Sequence, residues 1–148
     1  MRSQIRIEYL VRSAMPDALA LVDDLFFQAK MAETARHTGV QLRIFTNSDA
    51  LLRAAAENPA ATLLLDLNSR ANPLAALARL RESAPANAAA GATPGNGARR
   101  RVIAFLSHVQ TDLAEQARAA GCDEVMPRSK FTAELPRILR DARTENTR

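Results

Sequence analysis

Short, nearly unbroken apolar runs alternate along this chain with longer stretches whose apolar positions recur every three or four residues, and the alternation repeats five times. Unbroken runs of this kind mark strands buried on both faces, and the wider spacing marks amphipathic helices. The first run, Ala18-Leu19-Ala20-Leu21-Val22, ends in Asp23-Asp24. A helix follows over Leu25 to Thr38, with Phe27, Met31 and Ala35 on one face and Gly39 as its stop. Val40 to Phe45 alternates and predicts a second strand. Asn47 or Ser48 can cap a helix from Asp49 to about Glu57, which Asn58-Pro59 breaks. The third strand is Thr62-Leu63-Leu64-Leu65-Asp66. Asn72-Pro73 opens a helix carrying Leu74, Leu77 and Leu80. The fourth strand is Val102-Ile103-Ala104-Phe105-Leu106, leading into Ser107-His108. Thr111 or Asp112 can cap the next helix, which Gly121 closes. Asp123 to Met126 predicts a short fifth strand ending at Pro127. Thr132 is placed to cap a last helix with Leu135, Ile138, Leu139 and Ala142, and Pro136 would then fall near its first turn.

Strand followed by helix, five times over, calls for a parallel sheet with helices on both faces. Right-handed crossovers leave few topologies, and 2-1-3-4-5 is the common order for five strands. The reading is therefore one α/β domain over residues 16–143, with a tail at 144–148 expected to fray. Between 82 and 101 the pattern stops. Most of that stretch is Ala, Gly, Pro, Asn, Ser and Thr, which predicts a low-complexity, disordered loop ending in Arg99-Arg100-Arg101. Residues 1–15 stand outside the pattern as an N-terminal extension. Ile5, Ile7 and Tyr9 alternate as in a short strand; the other reading is that the native chain starts at Met15.

Composition adds exclusions. The chain has 148 residues, 47% of them hydrophobic and 24% charged, the mix of a globular protein. No apolar run approaches the length of a membrane span, and Met1 to Glu8 carries no secretory segment, so the expected location is the cytoplasm. The single Cys122 excludes an internal disulfide and a cysteine-based zinc site. The net charge of +4 invites a nucleic-acid reading, but its distribution opposes one. Arg2, Arg6, Arg12 and Glu8 leave +2 in the first 14 residues and the triple arginine another +3, so the rest carries −1. A nucleic-acid-binding face is a concentrated basic one.

The candidate chemistry lies at strand ends. In the 2-1-3-4-5 order the first and third strands are neighbours, and ligands collect outside the carboxyl ends of such strands. Asp23, Asp24 and Asp66 then come together, and a hard cation such as Mg2+ would relieve their repulsion. A metal-held carboxylate can act as a nucleophile toward a phosphoryl group, and Ser107 is placed to hydrogen-bond a phosphoryl oxygen. Taken singly, each residue has a plainer use: an aspartate as a helix cap, Ser107 as a loop hydroxyl, His37 near a helix end, Cys122 as a small core residue. Phe27 and Met31 read as core, whereas an exposed Phe26 could serve a partner. No Walker loop or G-x-G-x-x-G follows any strand.

With Asp23-Asp24, Asp66, Ser107 and the Gly121-Cys122-Asp123-Glu124 turn in place, the chain resembles the receiver domains of bacterial response regulators (CheY-like, flavodoxin-like in fold) from about Pro16 to Ala142. The resemblance implies Asp66 as phosphoacceptor, Mg2+ held by Asp23, Asp24, Asp66 and the backbone carbonyl of Asn68, and Ser107 as switch hydroxyl. It implies a histidine kinase or phosphotransfer protein as donor, a downstream partner protein, and no enzymatic turnover. Three departures stand out. The family's lysine before proline is missing from Met126-Pro127-Arg128-Ser129-Lys130-Phe131. Counting from Gly121 puts Arg128 in that slot, counting from Phe131 puts Ser129 there, and Lys130 is near enough to substitute. The usual aromatic switch is Val125, and His108 replaces the small residue after the hydroxyl. The alternative reading is a pseudo-receiver that binds partners without phosphorylation. A small Mg2+-dependent phosphatase is a poorer fit, because Asn68 cannot be an acid/base two residues after Asp66.

Overall fold

The computed structural model describes residues 15–82, 100–107 and 110–146. The readings for residues 1–14, for 83–99 of the low-complexity loop and for His108 lie outside the described residues. Ten elements follow in order: β1 (Ala18–Leu21), α1 (Leu25–Thr38), β2 (Leu42–Phe45), α2 (Ser48–Glu57), β3 (Thr62–Asp66), α3 (Pro73–Glu82), β4 (Val102–Leu106), α4 (Thr111–Ala120), β5 (Glu124–Pro127) and α5 (Arg128–Asn146). The strands form one parallel sheet in the order β2-β1-β3-β4-β5.

Strand alternation sends side chains to two separate cores. Ala18, Ala20, Leu64, Ile103 and Phe105 face α1 and α5, where Phe27, Met31, Phe131, Leu135 and Leu139 meet them. Leu19, Leu21, Leu63, Leu65 and Ala104 face the other way, against α2, α3 and α4. β1, β3 and β4 are buried on both sides, which is why their sequences are unbroken apolar runs. β2 is an edge strand and only half-buried, so its sequence alternates.

The helix ends follow local chemistry. Asp24 caps α1, accepting from the amides of Phe26 at 3.0 Å and Phe27 at 3.2 Å, and Gly39 closes it at φ 72°. Of the two cap candidates for α2, Asn47 does the work, accepting from Ala50 N at 3.1 Å; the Ser48 hydroxyl donates instead to the Ala71 carbonyl. The second strand begins at Leu42 rather than Val40, because the Val40 amide is taken by Ala35 O at the end of α1. Neither Thr111 nor Asp112 caps α4. The cap position is Gln110, whose side-chain oxygen is engaged by Asn68. The largest difference is at the last helix. It starts at Arg128, so Thr132 lies inside it, donating to the Arg128 carbonyl at 2.8 Å, and Pro136 is a helix-interior residue. Two of the three arginines are tied to the fold. Arg100 donates to the Ala55 carbonyl at 2.8 Å, and Arg101 pairs with Glu124 at 2.7 Å.

Candidate functional site

The parallel register decides which residues meet. Leu21 pairs with Phe45 and Leu65, Asp66 with Phe105, and Leu106 with Pro127. Asp23-Asp24, Asp66, Ser107 and Arg128 therefore emerge together at the carboxyl edge of the sheet. Gln28 reaches back from α1 to donate to the Val22 carbonyl at 2.6 Å, holding the turn that presents the acidic pair.

Asp66 is buried, 2% exposed. One of its oxygens accepts from the Asn68 amide at 3.0 Å, in a tight Asx turn. The other accepts from Arg128 Nη2 at 3.2 Å. The Arg128 fork is shared: Nη1 donates to Asp24 Oδ2 at 3.0 Å, while Asp24 Oδ1 caps α1. The cation that Asp24 and Asp66 share in this structure is thus a guanidinium. Asp23 points elsewhere, accepting from the Arg70 amide at 3.0 Å.

The guanidinium is seated on aromatic rings. Its carbon lies 4.8 Å from the Phe27 centroid and 5.8 Å from that of Phe105. Phe105 in turn stacks on Phe131 at 4.1 Å. The Arg128 Nε is buried without a hydrogen-bond partner, while the side chain as a whole is half-buried. Lys130, the other lysine substitute, turns outward on α5 to Glu134, at 3.8 Å. Ser129 is likewise not the residue at the carboxylates; Arg128 is.

Burial raises the Asp66 carboxyl above its ordinary value, against the opposing pull of the Asn68 amide and the Arg128 charge. The α1 amide of Phe27 and the Arg128 hydrogen bond hold Asp24 below its ordinary value. Cys122 is buried, and its thiol is pushed up to about 11, which suits a core residue and not a nucleophile.

Asn68 does more than its predicted backbone role required. Its side-chain oxygen accepts from the Ser107 amide at 2.6 Å and its nitrogen donates to Gln110 at 2.9 Å, so it ties the end of β3 to the segment leading into α4. Ser107 is exposed at the end of β4. Val125 is half-buried in β5, among the side chains packed on the α2–α3–α4 face. Sequence reasoning missed the Phe27–Phe105–Phe131 seat; the available signal was Phe105 sitting in the strand beside Asp66. The Asn68 and Gln110 contacts had no signal in spacing.

Mg2+ prefers an octahedron of oxygens and holds them closely. In this arrangement the acidic residues do not fit that ion: Asp24 and Asp66 are bridged by Arg128, and Asp23 is turned to the Arg70 amide. Among the described residues, no three His, Cys, Asp or Glu side chains are grouped to hold a metal.

No sequence-family model matches the chain, and no curated protein matches it in sequence. Solved structures do match in fold. The receiver domain of NtrX from Brucella abortus superposes with a TM-score of 0.63 at 18% identity, covering 84% of this chain and 96% of that one. The response-regulator receiver domain from Rhodospirillum rubrum gives 0.63 at 16% identity, covering 86% and 93%. The receiver domain of Ssk1 from Saccharomyces cerevisiae, solved with the histidine phosphotransfer protein Ypd1, gives 0.62 at 15%, covering 84% and 92%. At these identities the likeness is one of fold. The chain has the receiver fold of response regulators, in a divergent form. Among the described residues no helix is long and apolar enough to cross a membrane.

Proposed function

We propose that this chain is a receiver-like signalling module that acts by binding a partner protein and does so without taking a phosphoryl group on Asp66. The observation behind this reading is the bridge from Arg128 to Asp24 at 3.0 Å and to Asp66 at 3.2 Å. A nucleophilic carboxylate must reach the phosphorus with a free lone pair, whereas Asp66 is buried and each of its oxygens already accepts a hydrogen bond. Phosphoryl transfer also relies on cations aimed at the moving phosphoryl oxygens, and here the Arg128 fork is already committed to two carboxylates. Partner binding has its own support beside the site. Leu25 and Phe26, in the first turn of α1, are 74% and 91% exposed, which is unusual for two adjacent large apolar side chains.

The second reading is a phosphorelay receiver. Asp66 would accept phosphate from a histidine kinase or phosphotransfer protein, with Mg2+ on Asp23, Asp24 and Asn68 and with Ser107 as the switch. The Asn68–Ser107 contact favours it, since it ties the ends of β3 and β4 together beside Asp66. Intact mass after incubation with acetyl phosphate and Mg2+, beside Asp66→Asn, separates the two. The proposal predicts no adduct on either protein. A phosphoryl adduct on the native chain alone overturns it and restores the phosphorelay reading.

A further inference from the structure

We infer that Arg128 is a resident counter-ion standing in place of a divalent cation, so that the acidic site is metal-independent as long as residue 128 is arginine. This deepens the reading of a closed site and rests on it. Asp66 is buried and its charge lies near those of Asp24 and Asp23, so a carboxylate held away from water beside like charges must be compensated. A planar guanidinium can do this with two donors at fixed spacing, one per carboxylate, as Nη1 and Nη2 do here.

The competition with a metal is for the same atoms. An ion bridging the two residues would need Asp24 Oδ2 and Asp66 Oδ2, the oxygens that Arg128 holds. Asp24 Oδ1 is committed to two helix amides and Asp66 Oδ1 to the Asn68 amide. Displacing Arg128 would break two ion pairs and leave a cation whose Nε is already buried without a partner.

The side chain is also pre-placed. Its backbone follows directly from Pro127, which pairs with Leu106 at the end of the sheet, and its carbonyl is bonded by Thr132. Its guanidinium lies over Phe27 and Phe105. Little rotamer freedom remains to be lost on pairing, whereas a free ion must be captured from solution.

Removing the guanidinium frees Asp24 Oδ2 and Asp66 Oδ2 for a divalent cation, with Asp23 swinging in from the Arg70 amide to add its oxygens. The experiment measures melting temperature and isothermal titration with MgCl2 and MnCl2 on the native chain, on Arg128→Ala, and on Arg128→Met, which keeps an apolar stem over the rings. The native chain should show no saturable binding and no dose-dependent shift. The metal-free variants should melt lower, and Mn2+ should raise their melting temperature by about 3 °C or more. Saturable Mg2+ binding by the native chain overturns the inference, and so does absence of binding by a folded variant. The closed-site reading fails on a different result, a phosphoryl adduct, so failure of one is distinguishable from failure of the other.

Discussion

Asp66 sits where its charge is least welcome. Burial and the neighbouring Asp23 and Asp24 raise its carboxyl, and the Asn68 amide and Arg128 only partly offset them. A carboxyl whose folded pKa lies above its unfolded one supports the fold most while protonated. That support is complete below the ordinary 3.8 and is lost as pH rises through the raised value. Asp66→Asn removes the charge and keeps the acceptor for the Asn68 amide. Relative to the native chain the variant should therefore gain stability as pH rises from 3.8 through the raised value. That gain should shrink as pH falls through the raised value toward 3.8, measured by urea titration at each pH. Asp24 runs the other way: its pKa is lowered, so its contribution is present above 3.8 and lost on acidification. These carboxylates were legible in the sequence because each directly ends an apolar run. Arg128 was legible only as one alternative among neighbours, because its slot depends on where the last helix begins.

That helix start is a matter of tertiary packing overriding local signals. Thr132 has the look of a cap, yet α5 begins at Arg128, and this puts Phe131 in the first turn, where it is fully buried and stacked on Phe105. Pro136 is accommodated inside the helix while Leu135, Ile138 and Leu139 are buried around it. The ring stack joins α1, β4 and α5 through Phe27, Phe105 and Phe131, residues far apart in sequence, so no local pattern could announce it. Phe131→Ala should cost about 3–5 kcal/mol, seen as a fall in the urea midpoint. By contrast, β1, β3 and β4 were placed correctly from sequence alone, because a strand buried on both faces carries its own signature.

At the scale of the molecule, one sheet separates two cores and brings its strand ends to a common edge. The receiver topology was readable from five repeats of strand and helix. The state of its acidic edge was not, since that depends on a side chain from the last helix reaching the N-cap of α1 and the end of β3. The closed state of the edge depends on that long-range contact, so the decisive measurement is the coupling between its two ends. Arg128→Met, Asp66→Asn and the double variant, unfolded in urea at pH 7 and low salt, form a thermodynamic cycle. A charge-assisted hydrogen bond to the buried Asp66 predicts a coupling energy of about 2 kcal/mol. A coupling indistinguishable from zero would mean that Arg128 does not clamp Asp66, and the closed-site account would be wrong.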